Sequence, residues 1–201
     1  MDTNTKPSTG RVIVISGPSG VGKSTICRRL CELLPAEFSV SVTTRKPRPG
    51  EQNSRDYHYV TPDEFARMEQ AGELLETAQV YGHHYGTPLR AVQQAVREGR
   101  SIILEIDIQG CIQVRRKMPD AVAIFLLPPT PEAQKQRIVG RNTDPAEVIR
   151  ERLAKADGEI RFANESGCYD HFVVNDDLEK TVQSVRDLIL SRPARNQPAI
   201  A

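Results

Sequence analysis

Eight consecutive residues, Gly17-Pro18-Ser19-Gly20-Val21-Gly22-Lys23-Ser24, fit the spacing G-x-x-x-x-G-K-[ST] without a mismatch. That spacing suits a chain of phosphates. The glycines let backbone N–H groups turn inward around anionic oxygens, where a Cβ would obstruct the curl. A following helix adds unpaired N–H groups and the positive end of its dipole. In such a loop Lys23 reaches the β- and γ-phosphates, the Ser24 hydroxyl is a ligand for Mg²⁺, and Thr25 continues the set. A chance glycine-rich turn is the bland alternative. The flanks argue against it: Val12-Ile13-Val14-Ile15 reads as a buried strand, and Ile26, Leu30, Leu33 and Leu34 recur at helical spacing. The stretch predicts a nucleoside triphosphate site.

Positioning that loop needs a sheet. Apolar runs at 11–16, 101–106, 121–127 and 171–174 predict strands, and helical patterns fall near 23–34, 88–98, 109–117, 131–140, 145–165 and 178–191. Alternation of this kind predicts an α/β fold with a parallel sheet covered by helices on both faces. Thr61-Pro62-Asp63-Glu64 and Asp144-Pro145-Ala146-Glu147 each place a capping residue, Pro at N1 and Glu at N3. Thr87-Pro88 and Thr130-Pro131 carry the same cap-then-proline pair.

The region 38–87 breaks the rhythm. Phe38-Ser39-Val40-Ser41-Val42 alternates with period two, Tyr57-His58-Tyr59-Val60 predicts a further strand, and 74–80 with the tight Tyr81-Gly82-His83-His84-Tyr85-Gly86 predicts a hairpin. A small β-rich insertion is the simplest reading. Between its strands, Arg45-Lys46-Pro47-Arg48 sets two guanidinium groups about a stiffening proline. Guanidinium forks bind phosphate bidentately, so Arg45 and Arg48 are candidates for one phosphate group, with Tyr57 and Tyr85 as hydroxyl donors. Basic loop residues are also commonly just solvated. Glu105 and Asp107 lie two apart at the end of the strongest apolar strand, so their side chains are expected to share a face.

These segments resemble a known family. Ser41-Val42-Thr43-Thr44-Arg45-Lys46-Pro47-Arg48-Pro49-Gly50-Glu51, Asp56-Tyr57, Glu73-Leu74-Leu75-Glu76, Tyr85-Gly86-Thr87, Leu104-Glu105-Ile106-Asp107-Ile108-Gln109-Gly110 and Val173-Val174-Asn175-Asp176-Asp177 are similar to guanylate kinase motifs. The resemblance implies a P-loop NTPase three-layer fold and transfer of a phosphoryl group from ATP to GMP, and to dGMP, with Mg²⁺. It implies a core over 10–37 and 88–191, a GMP-binding insertion over 38–87 and a helical lid near 137–152. The ends, 1–9 and 192–201, are expected to be frayed.

By position, the resemblance implies that Arg45, Arg48, Tyr57 and Tyr85 hold the GMP phosphate, and that Ser41, Glu76 and Thr87 read guanine. It puts Glu105 and Asp107 between acceptor and metal, with Asp107 as the metal ligand beside Ser24. It places Lys23, Arg45, Arg137, Arg141 and Arg152 in the catalytic set and Asn175 near adenine. Thr87 has a competing role as cap of the helix after Pro88. Two positions depart from the family pattern: Glu105 stands where Asp is usual, and Asn142 where Gly is frequent.

Composition narrows the rest. The chain has 201 residues and a formal charge of +1, which gives no electrostatic reason to expect nucleic acid or an anionic membrane as a partner. No apolar run reaches spanning length, and the first nine residues lack a signal peptide's apolar region. Cys27 and Cys31 read as small core residues, and His83 and His84 as surface loop residues. A cytoplasmic setting is expected, with ATP and GMP as the partners. Two rival readings stand beside this one: a P-loop kinase for another phosphorylated acceptor, and a non-catalytic guanylate-kinase-like interaction domain.

Overall fold

The computed structural model describes residues 10–140 and 146–191. Strand β1 (Val12–Ser16) is buried along its whole length. It lies at the centre of a five-stranded parallel sheet with β2 (Ala36–Phe38), β7 (Ser101–Glu105), β8 (Val122–Leu127) and β9 (His171–Val174), in the order β2-β7-β1-β8-β9. A strand buried on both faces must be apolar at every position, which is why this segment shows no alternation.

Its side chains alternate between two cores. Val12 and Val14 pack with Leu104 and Phe125 under α3 (Leu89–Arg97), α4 (Ile108–Lys117) and α6 (Ala146–Ser166). Ile13 and Ile15 pack with Ile103, Ile124 and Leu126 under α1 (Lys23–Leu33) and α7 (Leu178–Ser191). Cys27 is buried in this second core and Cys31 packs against it. Helix α5 (Pro131–Val139) starts at Thr130, whose side chain accepts from the Ala133 N–H.

The second sheet is four-stranded, in the order β4-β3-β6-β5, built from β3 (Val42–Thr43), β4 (His58–Tyr59), β5 (Leu74–Val80) and β6 (His83–Pro88). Helix α2 (Pro62–Gln70) covers one face, where Phe65 meets Val42 and Leu74. A full capping box opens α2: Thr61 accepts from the Glu64 N–H while the Glu64 side chain accepts from the Thr61 N–H. The β5–β6 hairpin turns at Tyr81 and Gly82, whose φ values of 49° and 76° match the twist that hairpin strands require.

Three sequence expectations need correction. His83 and His84, expected in a surface loop, are the exposed first residues of β6, because the hairpin turn needs only Tyr81 and Gly82. The alternating run from Phe38 to Val42 is not one strand. Phe38 pairs with Ile103 in the main sheet, the Ser39 N–H donates to the Ile103 carbonyl at 2.9 Å, and the chain then crosses to the second sheet at Val42. Period two is shared by both sheets, so the pattern runs through the crossing unbroken. Thr87 does not cap α3 either. The N-cap is Pro88, without a side-chain cap, and Thr87 lies within β6 with its hydroxyl committed elsewhere. The helix start expected at Asp144-Pro145 lies outside the described residues, as do both termini.

Candidate active site

The phosphate loop leaves β1 at its carboxyl end, where open α/β sheets bind ligands. Gly20 and Gly22 take φ of 79° and 100°, and a Cβ on them would lie 2.4 Å from Ile138 Cγ1 and 2.7 Å from Asn175 Nδ2. Side chains brace the loop from outside. Gln134 Nε2 donates to the Ser19 carbonyl at 2.8 Å, and Asn175 Nδ2 to the Val21 carbonyl at 2.6 Å. Lys23 folds back over the loop, donating to the Gly17 and Pro18 carbonyls at 2.6 and 3.2 Å. Ser24 Oγ donates to Glu105 Oε1 at 2.9 Å. A hydroxyl and a carboxylate in contact are hard oxygen donors of the kind that Mg²⁺ prefers.

The second sheet carries another constellation. Register places Glu76 opposite Thr87 and Val42 opposite Gly86; continuing it by one residue sets Ser41 beside Thr87 and Tyr57 beside Ser41. Residues in one such row share a face. The face opposite α2 therefore presents Tyr57, Ser41, Thr87 and Glu76 in line, with Tyr59, Thr43, Tyr85 and Ala78 in the next row. An irregularity in register between Leu74 and Glu76 interrupts the alternation of β5, so that adjacent Leu75 and Glu76 are both buried.

Glu76 is 3% exposed, and Thr87 donates its hydroxyl to Glu76 Oε1 at 2.7 Å. Burial pushes the Glu76 carboxyl up to about 7, against the hydrogen bond from Thr87 and with the Asp107 charge adding to the rise. Asp107 is the N-cap of α4 and accepts from the Gly110 N–H at 2.8 Å. Burial raises its carboxyl too, opposed by that N–H and by the charge of Lys23. Asp107 thus lies in electrostatic reach of both Lys23 and Glu76. Strand β7 ends at Glu105, and the turn into α4 separates the tasks of the two carboxylates: Glu105 meets Ser24 and Asp107 caps the helix.

The basic loop is ordered by a residue that spacing did not single out. Glu51 accepts from Arg45 Nη1 and Nη2 at 2.9 and 3.0 Å, from the Arg48 N–H at 2.7 Å and from the Tyr59 hydroxyl at 2.7 Å. Burial works to raise its carboxyl, but those donors outweigh it and hold it down at about 2. The Arg45 guanidinium, its pKa raised by Glu51 and Tyr85 against the cost of burial, lies 5.3 Å from the Tyr57 ring centroid. Tyr57 and Tyr85 meet edge to face at 5.9 Å. The structure therefore brings Arg45, Tyr57 and Tyr85 together, with Arg48 joined through its backbone.

Further placements concern helices α5 and α6. Arg137 donates to the Asn175 and Asp176 carbonyls at 2.9 and 3.3 Å, tying α5 to the end of β9. Arg141 lies outside the described residues, and Arg152 enters only as a backbone position in α6. Glu159 of α6 was not anticipated. Its carboxylate lies in electrostatic reach of the Ser19 N–H, Lys23 and Lys155. Burial raises its carboxyl, the Lys23 charge opposing. Nothing in a charge-rich helical stretch marks this one glutamate. Glu51 by contrast lies within the segment Ser41–Glu51, three residues beyond Arg48, and a carboxylate near two arginines is a usable signal.

Residues 9–192 match the family model described as guanylate kinase. The chain belongs to the guanylate kinase family. It is 49% identical over 181 residues to a guanylate kinase of Lactococcus lactis subsp. lactis, covering 90% of this chain and 87% of that one. A guanylate kinase of Symbiobacterium thermophilum is 46% identical over 187 residues, covering 92% and 87%. Among solved structures, the crystal structure of guanylate kinase from Anaplasma phagocytophilum is similar, with a TM-score of 0.77, 33% identity and coverage of 94% and 90%. Membership covers both the phosphate loop and the second sheet, so both constellations belong to one family architecture.

Proposed function

We propose that the chain transfers the γ-phosphoryl group of ATP to the phosphate of GMP, and of dGMP, giving ADP and GDP by direct in-line displacement. The observation that carries this reading is the buried Glu76–Thr87 pair on a sheet face shared with Ser41 and the Arg45–Tyr57–Tyr85 cluster. Guanine offers N1–H and a 2-amino group as donors and O6 as acceptor. A carboxylate at Glu76 accepts from both donors, and the Ser41 hydroxyl is positioned in the same row for O6. Adenine lacks the 2-amino group and would leave a buried carboxylate under-paired, which makes rejection strong.

In this reading the insertion 38–87 holds the acceptor, and 137–152 forms the lid over the core. The acceptor phosphate is already anionic, so no general base is required; the residues align the reactants and supply positive charge. Lys23 moves from the loop carbonyls to the β- and γ-phosphates, Arg45 and Arg48 hold the acceptor phosphate, and Arg137, Arg141 and Arg152 complete the cationic surround. Bound Mg²⁺ supplies charge neutralisation at the transferring group. Ser24 and Glu105, already in contact, suit it better than Asp107, whose Oδ1 is engaged by the Gly110 N–H. Asn175 serves the donor site by bracing the loop.

No helix among the described residues is long and apolar enough to cross a membrane. Cytoplasmic action on free nucleotides accords with that and with four unpaired cysteines. A panel of acceptors with ATP, scored by ADP release, tests the function. GMP should dominate. Preferred turnover of a different phosphorylated acceptor would replace the assignment, and no turnover of any would favour an interaction domain.

A further inference from the structure

Strand β5 is an edge strand, so one side of its backbone lacks a partner strand. Helix α4 takes that place with side chains. The Thr77 N–H donates to Gln113 Oε1 at 3.1 Å, and Gln113 Nε2 donates to the Thr77 carbonyl at 2.6 Å. One amide thereby reproduces both hydrogen bonds that a neighbouring strand would make. Gln113 Nε2 also donates to the Gln109 carbonyl at 3.3 Å, which ties the side chain back along its own helix. One turn further on, Lys117 Nζ donates to the Leu75 carbonyl. One turn earlier, Gly110 comes so close that a Cβ would lie 2.5 Å from Glu76 Oε2. Positions 110, 113 and 117 form one stripe of α4 laid along β5.

The two clamped peptides, at Leu75 and Thr77, flank Glu76. We propose that Gln113 is a positioning residue for base recognition, its amide fixing the Thr77 peptide and hence where the Glu76 carboxylate meets the acceptor. This rests on Glu76 reading guanine, as proposed above. The register irregularity beside Leu74 leaves β5 without regular pairing on that flank, so an outside clamp is needed to hold one residue's direction. Misplacement by about 1 Å is enough to cost orders of magnitude at a reacting or recognition centre.

The test compares wild type with Gln113→Met, which keeps length and packing but has no amide, and with Gln113→Glu, which keeps only the acceptor for the Thr77 N–H. The readout is kcat/KM for GMP relative to IMP, which lacks the 2-amino group, alongside KM for ATP and the melting temperature. Gln113→Met should reduce the preference for GMP by about 10-fold, and Gln113→Glu should reduce it also, with KM for ATP unchanged. A role confined to stabilising the sheet edge would lower the melting temperature and leave the preference intact, and that result would overturn the proposal. A wild-type protein that phosphorylates GMP and IMP equally well would instead remove the reading of Glu76, and this inference with it.

Discussion

At the scale of single residues, the site separates into charges that are ion-paired before any ligand arrives and carboxyls that burial raises. Arg45 and Glu51 are mutually paired, so the clamp proposed for the acceptor phosphate is set in advance, and the arginine keeps hydrogens for a further anion. Arg45→Ala should raise KM for GMP by about 30- to 150-fold, the equivalent of losing a charge-assisted pair of ~2–3 kcal/mol, while KM for ATP stays put; steady-state kinetics with each substrate varied would check both. Glu76 belongs to the second group, a carboxyl near 7 against a reference of 4.5. Because its folded pKa is raised, the folded state retains the proton longer. That contribution is fully present below about 4.5 and is lost as pH rises through about 7. Glu76→Gln should therefore gain on wild type over that window by up to roughly 3 kcal/mol and hold the gain at higher pH. Paired denaturation curves from pH 4 to 8 would show it. The types and spacing of Arg45, Tyr57, Tyr85 and Glu76 were legible in the sequence. The state of Glu76 was not, because it depends on burial by residues distant in the chain.

At the scale of elements, local rules held where they did not compete with burial. Thr61 caps α2 as its sequence spells out, on the side of the sheet away from the site row. Thr61→Ala should cost about 1 kcal/mol in chemical denaturation and leave kcat/KM unchanged. Thr87-Pro88 spells the same signal, yet Thr87 is fully buried beside a carboxylate and its hydroxyl goes there instead. An unpaired buried carboxylate is costlier than an uncapped helix, so the tertiary demand wins. The split of the 38–42 run between two sheets was hidden for a related reason: alternation reports a half-buried strand without naming its sheet.

At the scale of the whole molecule, the parallel core was readable because a nearly continuous apolar run can only be central. How the two sheets communicate was not. Helix α4 leaves the phosphate side at Asp107 and ends against the edge of β5, while Lys155 of α6 lies 4.5 Å from the Tyr81 ring centroid at the hairpin tip. That cation–π contact, worth about 0.5–1 kcal/mol at an exposed site, links α6 to the tip of the second sheet. With the second sheet holding the acceptor as proposed, Tyr81→Ala should loosen its hold on α6 and raise ATP hydrolysis without acceptor by about 2- to 5-fold relative to transfer, measured as ADP release with and without GMP.

The irregular step in β5 carries a consequence for how such a pocket can change. With Leu75 and Glu76 both turned inward, shortening the chain there by one amino acid would restore strict alternation and expel either the greasy neighbour or the acidic one. New acceptor preferences are thus more accessible by exchanging side chains at fixed length than by insertions or deletions, and a library that varies loop length in this segment should yield mostly inactive protein.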